Sequence, residues 1–295
     1  MDQPTAEQLA RTLWQRVEPY HAITYFAEEC LAAFVDAGLR GFWRGYFAGR
    51  AAPFGAVEAG PIVAAFHGFR ADFVQRAVPS IWSLVTPSAA LQARLDGADR
   101  TLRRVLELER DAGALDEIAT LLTGAMEHIS PSGRPVFAAN ADLERPDDPH
   151  LAAWHAATLL REHRGDGHVV ALTDAGLDGC EPHVLRLAIG GLPESSIAPF
   201  RGWDADDWAE ATDRLRARGW LDADGAATDA GHAAHRAIEA ATDRLAAAPV
   251  LALGDVRTLR LIELLDGPAR RIGAAGVVPY PNAMGVPPPD QPGLP

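Results

Sequence analysis

Six ionisable side chains crowd into eight residues of the segment LLREHRGDGHVVAL, residues 159–172: Arg161, Glu162, His163, Arg164, Asp166 and His168. An imidazole beside a carboxylate makes a general base with its orienting partner. On that reading His163 or His168 is the base, and Asp166 or Glu162 is the carboxylate. The same His163, Asp166 and His168 could hold a metal ion. No HExxH helix is present, so the spacing does not favour a metal, and neither metal nor cofactor is specified. Arg161 and Arg164 carry guanidinium forks that match an anionic group such as a carboxylate. The bland alternative is a hydrated helix–helix turn held by local ion pairs. Cost argues against it: two Arg, a Glu, an Asp and two His beside apolar helices need partners or water.

The elements that must position this cluster read as helices. Apolar residues recur at helical spacing over 4–18, 21–36, 39–50, 55–67, 70–84, 88–108 and 113–127. Residues 130–150, with Pro131, Pro135, Pro146 and Pro149, read as a linker. Helices resume over 151–163, 168–176, 180–190, 193–200, 204–218 and 229–247, and Gly165 and Gly167 are expected to break the chain inside the cluster. Gly41, Gly45 and Gly49 fall four apart and line one helical stripe, which lets a neighbour approach closely. The proline-rich end, 281–295, is expected to be extended.

AFVDAGLRG at 33–41 echoes ALTDAGLDG at 171–179, an offset of 138 residues. Further on, Phe66-His67-Gly68-Phe69 echoes Phe200-Arg201-Gly202-Trp203. The echo suggests two repeated halves, 1–140 and 141–280, the first without a wing. It places His21, Tyr25, Glu28 and Glu29 opposite the cluster. Tyr46 and Arg50, on the glycine-striped helix, add polar contacts, and a site between the halves is the expectation.

Composition narrows the function. The 295-residue chain has 40 Asp plus Glu against 27 basic residues, all of them Arg, for a formal charge of −13. Absence of lysine excludes Schiff-base chemistry and a P-loop. No GxGxxG turn or nucleophile elbow is present. Cys30 and Cys180 stand alone and read as buried free thiols. No signal peptide and no membrane span are read, so a cytoplasmic protein is expected, with homodimerisation left open.

Residues 204–247 run helix, RGWL, an Asp222-Ala223-Asp224-Gly225 turn and a helix capped by Thr228. This resembles the C-terminal half of MarR-type winged-helix domains. REHRGDGH at 161–168, YHAITYFAEE at 20–29, GYFAGRAAPFG at 45–55 and the RGW segments resemble an actinobacterial family of helix-turn-helix-like proteins. That resemblance implies the fold and a shared site, but no reaction. The fold expected is therefore all-α with a small β-wing, in two winged-helix-like halves. A winged helix would read DNA with 204–218, which carries five acids against three arginines, a net −2, and its wing tip has no basic residue. Carboxylates near phosphates oppose binding, so nucleic acid is not the expected partner. The expected function is binding, with or without conversion, of an anionic small molecule. The second reading is a MarR-like regulator that responds to a ligand.

Overall fold

The structure is a computed structural model that describes residues 5–190, 194–280, 282, 284 and 288. The proline-rich segment 281–295 therefore falls almost wholly outside the described residues. Fourteen α-helices occur among the described residues: α1 (Ala6–Phe26), α2 (Glu28–Asp36), α3 (Phe42–Ala51), α4 (Ala59–Ala65), α5 (Ala71–Gln75), α6 (Pro87–Val105), α7 (Leu108–Met126), α8 (Pro135–Ala141), α9 (Pro149–Asp174), α10 (Glu181–Gly190), α11 (Ala205–Ala217), α12 (Asp229–Leu245), α13 (Ala248–Leu253) and α14 (Asp255–Ala274). Helix α1 starts where the sequence says it should. Thr5 accepts from Gln8 N, and the Gln8 side chain accepts in return from Thr5 N, which satisfies two end groups.

Several stretches depart from the sequence reading. Helix α1 runs through Pro19 to Phe26, across the break expected between 18 and 21, and the helix expected over 70–84 is α5 and a 3₁₀ turn at Ser80–Ser83. The supposed linker contains α8 and the first residues of α9; Pro135 and Pro149 open these helices, where a missing N–H costs nothing. Residues 248–274 form two helices that the periodicity did not suggest, and α14 runs through Pro268. The helix expected at 193–200 is only two short 3₁₀ turns, with residues 191–193 outside the described set.

The wing is also corrected. Among the described residues there is no β-strand, only one antiparallel bridge between Leu221 and Ala227. The stretch between α11 and Thr228 is too short for a ladder once Asp222–Gly225 have made the turn. Thr228 does cap α12, accepting from Gly231 N at 3.1 Å.

The repeated halves are not supported, and the likeness is confined to two helix ends. Both DAGL segments end a helix in the same way. Leu39 N donates to Phe34 O and Leu177 N to Leu172 O, at 2.9 and 3.0 Å, with Gly38 and Gly176 at positive φ. Beyond the caps the elements differ: α3, α4 and α5 precede α6, whereas α10 and α11 precede α12. The largest apolar core is common to both halves. It joins Leu13, Val17 and Ile23 of α1, Ile118 and Leu122 of α7, Trp154 and Leu160 of α9, and Leu261 and Ile272 of α14.

Two glycines of the expected stripe, Gly45 and Gly49, admit a close neighbour, whereas Gly41 precedes α3 at φ +87° with nothing against it. A Cβ at Gly49 would lie 2.6 Å from the Phe34 ring, and one at Gly45 would lie 3.0 Å from it. Helix α2 therefore seats Phe34 directly on the α3 backbone.

Candidate functional site

Helix α9 occupies the centre, packed against α1, α6, α7, α8 and α12. It does not break at Gly165 or Gly167, which corrects the expected turn. Each glycine costs about 1 kcal/mol in a helix, but here tertiary packing decides. Gly167 lies beneath Arg134, whose guanidinium donates to His163 O and, at 2.7 Å, to Leu245 O. The helical path then fixes where the cluster can point, since residues three or four apart share a face and the others do not. Residues 161–168 are thus distributed around a buried rod instead of converging from a loop.

The first face holds Glu162 and Asp166. Glu162 receives Arg161 at 2.8 Å and Arg50 at 3.2 Å, with His21 Nε2 at 3.9 Å. Burial alone would raise its carboxyl, but Arg161 and Arg50 overcome this and hold it down at about 2. Asp166 accepts from Phe137 N at 2.9 Å. Burial dominates there and pushes its carboxyl up to about 6. The two carboxyls thus shift in opposite directions because Arg161 and Arg50 outweigh burial at Glu162, whereas burial outweighs Phe137 N and Arg134 at Asp166.

A second face holds Arg161, Arg164 and His168. Arg164 binds Asp243 at 2.7 Å and lies over the Trp14 ring at 4.7 Å from its centroid. Arg11 binds the same Asp243 and also Glu239. Arg161 reaches Glu18 at 3.4 Å, and Trp14 donates to Glu18 at 2.6 Å. His168 meets the Thr242 hydroxyl at 2.9 Å, and burial lowers its imidazole to about 4.

His163 points elsewhere. It packs edge-on against Phe137, its Nδ1 has no partner, and burial next to Arg134 lowers it to about 4. His163, Asp166 and His168 do not form a metal site, and no cluster of three metal-ligating side chains exists among the described residues.

Two cavities flank this helix. One, of about 190 Å³, is lined by Arg11, Trp14, Glu18, Arg161, Arg164, His168 and Glu239, among others. The other, of about 220 Å³, is lined by Tyr46, Arg50, Arg161, Glu162, Asp166 and His168, and also by Arg186 and Arg201. Arg161, Gly165, His168 and Arg186 border both. Of the expected ligand residues, Tyr46 and Arg50 reach the second cavity. His21 and Tyr25 line a cleft of about 10 Å³ behind Glu162, where His21 bonds Tyr25 Oη at 2.6 Å and Thr158 Oγ1 at 3.1 Å, and Tyr25 also borders an apolar chamber beside Phe42 and Trp43. Glu28 is exposed at the start of α2 and borders no cavity described here, so its expected role fails.

Arg186, Arg201, His67 and His183 were not anticipated as cavity residues, although the signal was present. The FHGF and FRGW echo pairs in space: Arg70 N donates to Arg201 O at 3.0 Å, and Trp203 Nε1 donates to Gly68 O at 3.1 Å. At Gly202 a Cβ would lie 2.4 Å from Phe73, so only glycine, here at φ +81°, allows this approach. Arg186 is a half-buried arginine of α10, on the side of that helix away from the buried Val184, Leu185 and Leu187. It has no hydrogen bond or ion pair within the described structure. Burial lowers it, and Arg201 nearby lowers it further.

The end of the molecule around α11 is differently arranged. Asp204 caps α11, accepting from Asp206 N and Asp207 N, and binds Arg70 at 2.6 Å. Arg214 binds Asp178, and Arg216 binds Asp213 at 3.2 Å and Ala223 O at 3.0 Å. Arg218 binds Ala175 O and Gly176 O.

Comparison with known proteins gives one positive result. The model of a helix-turn-helix family matches residues 10–279. No curated protein and no solved structure matches significantly. No helix among the described residues is long and apolar enough to cross a membrane.

Proposed function

Since the chain belongs to this helix-turn-helix family, we propose that its frame has been turned to binding a small anion in the cavity between α3, α9 and α10. The observation that carries this reading is the charge of the cavity wall. Arg50, Arg161, Arg186 and Arg201 face Glu162 and Asp166, a net charge of +2 in a chain whose total is −13. The wall histidines do not add to it at neutral pH, since burial lowers His168 to about 4 and His183 to about 3. A partly buried positive excess is costly unless an anion completes it. Arg186, which makes no hydrogen bond or ion pair among the described residues, is the group that an incoming carboxylate or phosphate would satisfy. Asp166, with its carboxyl near 6, is placed to exchange a proton with a bound molecule, and conversion of the ligand would begin there.

The family supports a second reading, a regulator that binds DNA. Against it stand the acids of α11 and the engagement of Arg214, Arg216 and Arg218 with the protein itself.

The test is thermal denaturation at fixed ionic strength with acetate, phosphate, benzoate and methylammonium, each compared with chloride. The anions should raise Tm through mass action and methylammonium should not. Arg186→Gln should lose most of the response. An anion response equal to that of chloride overturns the proposal. In fluorescence anisotropy at about 50 mM salt, a duplex Kd below about 10⁻⁷ M would restore the DNA reading.

A further inference from the structure

Next to the cationic cavity lies a third chamber, of about 340 Å³, with an almost wholly apolar wall. Tyr25, Phe26, Phe42, Trp43, Tyr46 and Phe200 form it, together with Arg201 and Met284. The rings support one another: Phe42 stacks on Tyr46 at 6.0 Å, and Trp43 meets Phe42 edge-on at 4.9 Å. Phe42 and Phe200 remain 38% and 49% exposed, an unusual state for two phenylalanines bordering the same hollow. The chamber is not separate from the cationic cavity, since Tyr46, Arg201 and Met284 line both. Across that shared wall, Arg50 donates to the Tyr46 hydroxyl at 3.1 Å, so the phenol has its ring in the apolar chamber and its oxygen at the charged end.

We infer that the anion is amphipathic: a monocarboxylic acid with a hydrocarbon or aryl body. Its carboxylate would meet Arg186 and Arg201, and its body would lie against Trp43, Phe42 and Phe200. This rests on the proposed anion site and specifies what that site takes. A small inorganic anion would use only the cationic cavity and leave the apolar chamber, with the exposed Phe42 and Phe200 on its rim, unfilled. Water in the apolar chamber finds few polar partners, so displacing it with hydrocarbon is favourable. The planar guanidinium fork matches a carboxylate in two-point contact. A neutral alcohol of the same length would lack that contact, and a short acid would lack the apolar burial. Both ends of the site therefore select, and together they define one ligand class.

The experiment is isothermal titration of the full chain with acetate, hexanoate, decanoate and decanol at matched ionic strength. Each methylene moved out of water is worth about fourfold in Kd. Partial burial of the four that separate hexanoate from decanoate should tighten binding at least about tenfold. Decanol should bind at least about tenfold more weakly than decanoate. Phe200→Ser, at a half-exposed position whose loss the fold should bear, should shrink the difference between decanoate and hexanoate while sparing acetate. Arg186→Gln should weaken all three acids. The chain-length series on the unaltered protein decides the matter whether or not the variants fold. Equal affinity for acetate and decanoate overturns the amphipathic inference and keeps the anion site. Decanol binding as well as decanoate, or no binding by any acid, overturns both.

Discussion

The middle of α9 and the surface of α11 carry similar sets of charged residues and use them in opposite ways. On α9 the charges are largely buried, and each is met by a partner from another helix: Arg50 on Glu162, Glu18 on Arg161, Asp243 on Arg164, Phe137 N on Asp166. On α11 the acids face solvent, and the exposed arginines at its C-terminal end bind surface carbonyls and carboxylates: Arg216 those of Asp213 and Ala223, Arg214 that of Asp178, and Arg218 those of Ala175 and Gly176. The first arrangement makes a shaped, electropositive interior. The second leaves an acid-faced helix with its N-terminus already capped by Asp204. Charge type alone would not have distinguished the two regions; burial does, because an unpaired charge is tolerated in water and not in the interior.

The comparison breaks most sharply at Glu162. Glu162→Gln leaves Arg50 and Arg161 buried with no charge between them. It should cost about 3–5 kcal/mol in urea denaturation, as breaking a buried pair does. A loss under about 1 kcal/mol would mean that the network is solvated and the contrast with α11 is false.

Acid should act on the interior first. The His163 imidazole is depressed from its ordinary value to about 4, so it folds neutral and must be charged in acid. The stability it holds is complete above about 6.5 and is lost as pH falls towards 4. His168 and His183 behave alike. His163→Leu should retain up to about 3 kcal/mol at pH 4.5 relative to the parent, after correction for its effect at pH 8. Parallel pH–stability curves for parent and variant would show that His163 is not what titrates.

Asp166 has the opposite sign. Its folded carboxyl is raised to about 6, so its ionisation opposes folding as pH climbs from about 4 through 6. Asp166→Asn keeps an acceptor for Phe137 N. It should stabilise the fold by roughly 2 kcal/mol at pH 8 and change little at pH 4. Destabilisation at pH 8 would place a compensating cation at the carboxylate.

The smallest effects belong to α11. Glu210→Ala and Asp213→Ala should each stay within about 0.5 kcal/mol, as exposed pairs do. Asp206→Arg with Glu210→Arg should leave Tm nearly unchanged and raise non-specific duplex binding at low salt. If that pair of reversals does nothing to duplex binding, α11 is not a nucleic-acid surface in any charge state.

Much of this was legible from residue order. The capping residues Thr5 and Thr228, the glycines beside Phe34 and the DAGL helix ends follow from local chemistry, which needs only near neighbours. The crowding of REHRGDGH correctly marked α9 as unusual, and two of its acids with Arg161 and His168 do border one cavity. What residue order could not supply was direction. Local propensity put a turn at Gly165-Gly167, whereas packing beneath Arg134 and Leu245 keeps the helix intact and sends His163 away from its neighbours. Glu28 has the right chemistry and the wrong side of a helix. Arg186 and Arg201 come from segments 18 or more residues beyond the cluster, and long-range packing alone brings them to it. By itself, then, the sequence determined an all-helical, lysine-free, acidic chain with one polar segment too costly to bury unpaired. Only the tertiary structure decided which of those charges are matched, which arginine is left over, and that an apolar chamber adjoins it, because each depends on contacts between residues far apart in the chain.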